Sequence, residues 1–221
     1  MRFLDITGPI RQGMWSYGAP LPPVEIERVA DLRREGWSGH KLLLNTLSGT
    51  YLETADHLFE GREQIADVPP ERLISRAVVA QLPDKGPLET ITAAELSEAV
   101  RGRLRPGDAL LVSTGWDRNW DEERFVTECP YFEPEAMEWV VRQDVSLLGL
   151  DVPCVQDPRD DDGSLNRLFF QRDRLLLAPL TGLRAAGEAP ARLIALPLLI
   201  PGVCGTPCRA ILERLSDPQE P

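Results

Sequence analysis

The chain has only two histidines, His40 and His57, and four cysteines, Cys129, Cys154, Cys204 and Cys208, among 221 residues. Two histidines leave little room for a catalytic zinc centre, which takes three or four His, Cys or carboxylate ligands. The cysteines make no Cys-x-x-Cys unit, which argues against both a structural zinc and a disulfide framework. Cys204 and Cys208 stand four apart with Gly205 and Pro207 between them, and packing is their expected role. Basic residues are also short. The 24 Lys and Arg face 35 Asp and Glu, a formal net charge of -11, which argues against nucleic acid and anionic membranes as partners. No apolar run approaches the roughly eighteen residues of a membrane-spanning helix, and the opening Met-Arg-Phe-Leu-Asp carries no signal segment. A cytoplasmic protein with a small-molecule partner is expected.

No composition shift marks a linker, so residues 1–221 are expected to form one domain with a full core. Phe3 to Ile6 read as a strand. Gly13 to Pro23 form a Pro- and Gly-rich loop holding Trp15 and Tyr17, which either cap the core or face a ligand. Val24 to Val29 alternates apolar and charged residues as a half-exposed strand, and His40 to Leu47 reads as another. Ser75 to Leu82 is an apolar strand. Thr92-Ala93-Ala94-Glu95 is a capping box that predicts a helix from Ala93 to Arg103, followed by a buried strand over Asp108 to Ser113. Glu133-Pro134-Glu135 opens a second helix, with Pro in the first turn and acidic residues where the helix dipole favours them. Ala191 to Ile200 is a long apolar strand, Thr206 and Pro207 read as the N-cap and first residue of a C-terminal helix, and the tail after Leu215 is expected to fray. The order is α/β.

Chemistry concentrates in Leu47-Ser48-Gly49-Thr50-Tyr51-Leu52-Glu53-Thr54-Ala55-Asp56-His57. In an extended chain Tyr51, Glu53 and Ala55 share a face, and Gly49 permits a close backbone approach. The acidic stretch Asp157 to Ser164 lacks the alternation and distal Glu of a calcium loop and reads as solvated. Asp151, at the end of a buried strand, either caps a loop or reaches a pocket, and Trp116 and Trp120 are expected in the core or at its rim.

Several segments, in order, resemble the cyclase family that includes bacterial kynurenine formamidase and isatin hydrolase. They are Asp5-Ile6-Thr7-Gly8-Pro9-Ile10, the Gly49-Thr50 to His57 stretch, Thr114-Gly115-Trp116 with Trp120, Leu147 to Asp151, Leu180-Thr181-Gly182-Leu183 and Gly205-Thr206-Pro207 with Arg209-Ala210. The resemblance implies the family's swivelling β/β/α fold, a mixed sheet with packed helices, and places Tyr17 at the position of a substrate-contacting Trp. It also shows a degraded metal signature. Leu47 and Tyr51 stand where the family has its two metal-binding His residues, Glu53 replaces Asp, and Ala55 replaces Pro. Asn166 and Ala178 fall where a second metal's His and Glu would be. Of the six family positions 47, 51, 53, 57, 166 and 178, only Glu53 and His57 keep good ligands, so no metal and no cofactor are expected.

His57 falls on the family position tied to proton transfer, a task imidazole performs without a metal. Glu53 could orient it or act as a second acid or base, and Tyr51 could hydrogen-bond a carbonyl. The expected function is metal-independent acid/base chemistry on a carbonyl-bearing small molecule, whether cyclisation, dehydration or hydrolysis, with His57, Glu53 and Tyr51 catalytic and Tyr17 and Trp15 binding substrate. A pseudoenzyme that keeps the scaffold as a binding module, and a metal-dependent amidohydrolase with unusual ligands, stand as alternatives. A homodimer or higher homo-oligomer is expected.

Overall fold

A computed structural model describes residues 2–160 and 162–215. Its strands and helices follow in the order β1 (Phe3–Asp5), β2 (Glu25–Ala30), α1 (Leu32–Glu35), β3 (Gly39–Leu43), β4 (Tyr51–Glu53), α2 (Pro70–Leu73), β5 (Ile74–Gln81), β6 (Thr90–Ile91), α3 (Ala93–Val100), β7 (Ala109–Ser113), α4 (Arg124–Thr127), β8 (Tyr131–Phe132), α5 (Pro134–Arg142), β9 (Leu147–Leu150), α6 (Ser164–Phe170), β10 (Leu175–Ala178), β11 (Ala191–Pro197) and β12 (Gly205–Arg214).

The main sheet runs β1-β12-β11-β5-β7-β9-β10-β4, and β4 pairs back onto β12. One edge of β12 is shared, its first residues pairing with β4 and its last with β1. Seven strands therefore close into a barrel, with β1 laid against it. Closure removes the open edges a flat sheet would leave for aggregation. The β5-β7, β7-β9 and β9-β10 pairs are parallel, and the pairs that complete the ring are antiparallel. The sheet is mixed, as the family resemblance implied.

The parallel strands are apolar at nearly every position because both their faces are covered. On β5, Ala77 and Val79 join Leu111, Leu177, Leu193 and Leu212 inside the barrel, while Val78 and Ala80 face the outer core with Leu96, Met137, Val140 and Phe169 from α3, α5 and α6. The capping box forms in full at α3: the Thr92 hydroxyl accepts from Glu95 N, and the Glu95 carboxylate accepts from Thr92 N. α3 ends at Val100, short of the expected Arg103, because Arg101 turns left-handed and caps it.

Two expectations need correcting. The C-terminal helix does not form; Gly205 to Arg214 is a strand paired along both edges. Ten residues of ladder satisfy more backbone groups than a cap at Thr206 could repay. Ala55 leaves the face of Tyr51 and Glu53, because the extended run stops at Glu53 and Ala55–His57 is a turn of 3₁₀ helix. Two strands are also shorter than expected: β3 stops at Leu43 and β11 at Pro197. The tail after Leu215 lies outside the described residues. No described helix is long and apolar enough to cross a membrane.

Candidate functional site

β4 sits between β10 and β12, with Tyr51 opposite both Ala178 and Pro207, and Glu53 opposite Leu176 and Gly205. Leu52 points into the barrel, so its neighbours Tyr51 and Glu53 face the opposite side. Gly205 is required by closeness: a Cβ there would lie 2.9 Å from the Leu52 carbonyl oxygen. At Gly49 the backbone is left-handed and a Cβ would strike Ile10 at 2.5 Å. Thr50 is a tie rather than a reacting group. Its hydroxyl accepts from Gly8 N at 2.8 Å and donates to the Pro179 carbonyl, fastening the N-terminal segment to the end of β10.

Thr54 then turns the chain. Its N–H and its hydroxyl both donate to the Cys204 carbonyl, at 2.8 and 3.0 Å, so the residue just before β12 is pinned beside the end of β4. The 3₁₀ turn that follows carries His57 back over Glu53. His57 Nδ1 lies 3.0 Å from Glu53 Oε1 and 3.6 Å from Cys204 Sγ. Glu53 is 4% exposed, whereas the His57 side chain is 35% exposed and reachable from solvent. The His57–Glu53 contact is an ion pair without aligned hydrogen-bond geometry, which leaves Oε1 buried with no hydrogen-bond partner. Cys204 first, and then Glu53, raise the imidazole pKa to about 10 against the opposing effect of burial. Both approach the same ring nitrogen, so no Cys–His–Glu relay runs through the two nitrogens of the ring.

Beside this cluster the Tyr17 hydroxyl is 3.0 Å from that of Tyr51 and 2.9 Å from the Pro153 carbonyl. Tyr17 spends its one proton on Pro153, so Tyr51 donates to Tyr17. Burial pushes both phenols well above their ordinary pKa, which keeps both protonated. Trp15 stacks edge-on against Tyr17 and Trp120 with its Nε1 buried and unpartnered. A cavity of about 650 Å³ opens on the outer side of this loop, lined by Arg11, Met14, Trp15 and Glu122 among others, and Tyr51, Glu53 and His57 are not part of its wall.

The sequence-predicted residues Tyr17, Tyr51, Glu53 and His57 are thus brought together, and Trp15 packs against the first of them. Cys204 was missed. It is 147 positions from His57 and was read as packing, yet it is the third donor of the cluster. Asp151 caps a turn: its buried carboxylate accepts from Thr114 N, the Thr114 hydroxyl and Gly115 N at 2.7 to 2.8 Å. Trp116 lies in the core, its indole donating to the Phe125 carbonyl, and Trp120 donates to the Pro9 carbonyl. Arg159 pairs with Asp157 within the acidic loop.

The metal positions implied by the resemblance do not fit a metal here. Leu47 and Ala178 offer no donor atom, and Ala178 puts a methyl opposite Tyr51. Burial holds the Tyr51 phenol protonated, and a protonated phenol is a poor metal ligand. Glu53 and His57 are left without the neighbours that set would require.

Comparison with known proteins places this arrangement. A kynurenine formamidase from Bordetella petrii is 28% identical over 167 residues, covering 76% of this chain and 76% of that protein. An isatin hydrolase from Roseibium aggregatum is 26% identical over 240 aligned positions, covering 94% of this chain and 90% of its own. The solved structure of isatin hydrolase A from Ralstonia solanacearum superposes with a TM-score of 0.84 at 20% identity, over 97% of this chain and 92% of that one. Residues 4–157 match the sequence profile of the family described as "Putative cyclase", and with well over half of its length so matched, the chain belongs to the cyclase family.

Proposed function

We propose that this chain is a hydrolase that cleaves a carbonyl-bearing small molecule by acid/base chemistry, using His57 and Glu53 and no metal at its family's usual positions. The 3.0 Å approach of His57 Nδ1 to Glu53 Oε1, at a site open enough to reach from solvent, carries the proposal. A formamidase and an isatin hydrolase among the relatives support hydrolysis as the reaction class.

The chain's own groups cover the steps that such a hydrolysis needs. The Glu53 carboxylate takes the proton of an attacking water, and the His57 imidazole returns a proton to the departing nitrogen or oxygen. Tyr51 polarises the carbonyl by hydrogen bonding. Because it donates to Tyr17 in this structure, a substrate oxygen takes that bond by displacing Tyr17, whose own anchor on Pro153 lets it move aside without losing its partner. Tyr17 and Trp15 supply an aromatic wall against the scissile group.

Chelator-treated protein assayed with N-formyl arylamines and isatin tests this directly. Turnover is expected in the metal-stripped chain, and His57→Ala and Glu53→Gln should each lower kcat about 10²- to 10⁴-fold, the usual worth of a general acid or base. Variants that keep full turnover would remove both residues from the chemistry and favour a binding module on the same scaffold.

A further inference from the structure

We infer that Glu53, His57 and Cys204 form a three-ligand site for a thiophilic divalent cation, zinc foremost. The inference rests on the convergence of these three side chains and goes beyond the function proposed above.

One donor atom from each residue lies within 4.8 Å of the other two. In a tetrahedral zinc centre with ordinary bond lengths, a sulfur and a nitrogen ligand stand about 3.5 Å apart and a nitrogen and an oxygen about 3.4 Å apart. Here His57 Nδ1 is 3.6 Å from Cys204 Sγ and 3.0 Å from Glu53 Oε1, so the first edge is already set and the second needs only a small opening. A carboxylate, an imidazole and a thiolate are a borderline-soft set that suits zinc or cobalt and not magnesium or calcium. Three protein ligands also leave a fourth position for water, as catalytic zinc centres do.

A second observation points to the same place independently. Glu53 Oε1 is buried without a hydrogen bond, although such an atom ordinarily finds one. Among the described residues no Lys or Arg pairs with this carboxylate; His57 alone comes within ion-pair distance, and without aligned geometry. A cation held between the three donors would satisfy the oxygen. The scaffold keeps the donors in place: Thr54 fixes the Cys204 backbone through two hydrogen bonds, and the register of β4 on β12 fixes Glu53. Cys204, which lies outside the positions the family resemblance implies, completes the set.

Cobalt(II) titrated into chelator-stripped protein is the test. A near-ultraviolet thiolate-to-cobalt absorption band is expected, saturating at a single equivalent and bleached by zinc. Cys204→Ser should abolish it, and Cys154→Ser should leave it unchanged although Cys154 and Cys129 approach to 3.7 Å. If Cys204→Ser fails to fold, the wild-type chain still decides: zinc should slow alkylation of Cys204 by iodoacetamide at least tenfold, read on the Cys204 peptide by mass. Absence of the band, its loss in Cys154→Ser, or alkylation indifferent to zinc would overturn the site. Turnover separates this from the proposed function. Zinc that binds and inhibits supports the site, because it occupies the two groups that move protons. A stripped chain that is inactive until zinc is added supports the site and overturns the metal-free chemistry.

Discussion

Asp151 follows β9 with its carboxylate out of water, and burial raises its pKa from 3.8 to about 7, with Thr114 and Gly115 pulling down and Asp117 adding a smaller push up. A carboxyl whose folded pKa is raised binds a proton in the native state that the unfolded chain has released. Stability therefore falls as pH rises from about 4 to about 7, by up to about 4 kcal/mol across that window. Asp151→Asn keeps an oxygen for the two backbone N–H groups and removes the titration. Urea midpoints measured at several pH values should decline toward neutrality in the wild type and stay flatter in the variant; parallel curves would assign the slope to other groups. Individual residues were unevenly legible. Glu53 and His57, four apart in one stretch, could be paired by eye, and the family resemblance placed Tyr17. Cys204 could not be found that way, because the Thr54 bonds that bring it to His57 span 150 positions and leave no local pattern.

At the scale of elements, α3 shows what local chemistry can decide. Thr92→Ala removes the hydroxyl that accepts from Glu95 N and leaves an orphan donor at the first turn. A loss of about 1 kcal/mol is expected, seen as a lower urea midpoint with an unchanged slope. Thr92→Ser should restore most of it. The same kind of signal misleads at Thr206-Pro207, where a cap and a first-turn Pro open a strand instead. The strand's alternation shows only in the structure, where buried Cys208, Ala210 and Leu212 alternate with exposed or half-exposed Arg209 and Ile211; in the sequence Ala210, Ile211 and Leu212 are all apolar and hide the period. Tertiary pairing on both edges of β12 outweighs the cap, as it does wherever a ladder competes with a single hydrogen bond.

For the whole molecule, barrel closure depends on β4 meeting β12 across some 150 residues of chain, which alternation along the sequence cannot reveal. The family resemblance reached the mixed sheet, and the parallel strands announced burial on both faces by their apolar runs, but the return of β4 is a long-range event. Outside the barrel, β2 and β3 form a two-stranded sheet of their own. A lone hairpin is marginally stable in water and needs a packed face. This one instead exposes Ile26, Val29, Leu42 and Leu43, with Leu32 and Trp37 in the connection. Ile26 and Leu42 stand directly opposite each other, at 37% and 57% exposure, so they form a cross-strand apolar pair facing solvent. We propose that a second copy of the chain covers this pair by symmetry, each hairpin supplying the same apolar surface to the other. Light scattering on the eluting protein should therefore report a dimer or a multiple of it. Ile26→Asp with Leu42→Asp places two like charges on that surface and should give a monomer whose barrel keeps its far-ultraviolet signature. A wild-type chain that elutes as a monomer at micromolar concentration, or a charged pair that leaves the dimer intact, would show that the hairpin is covered in some other way.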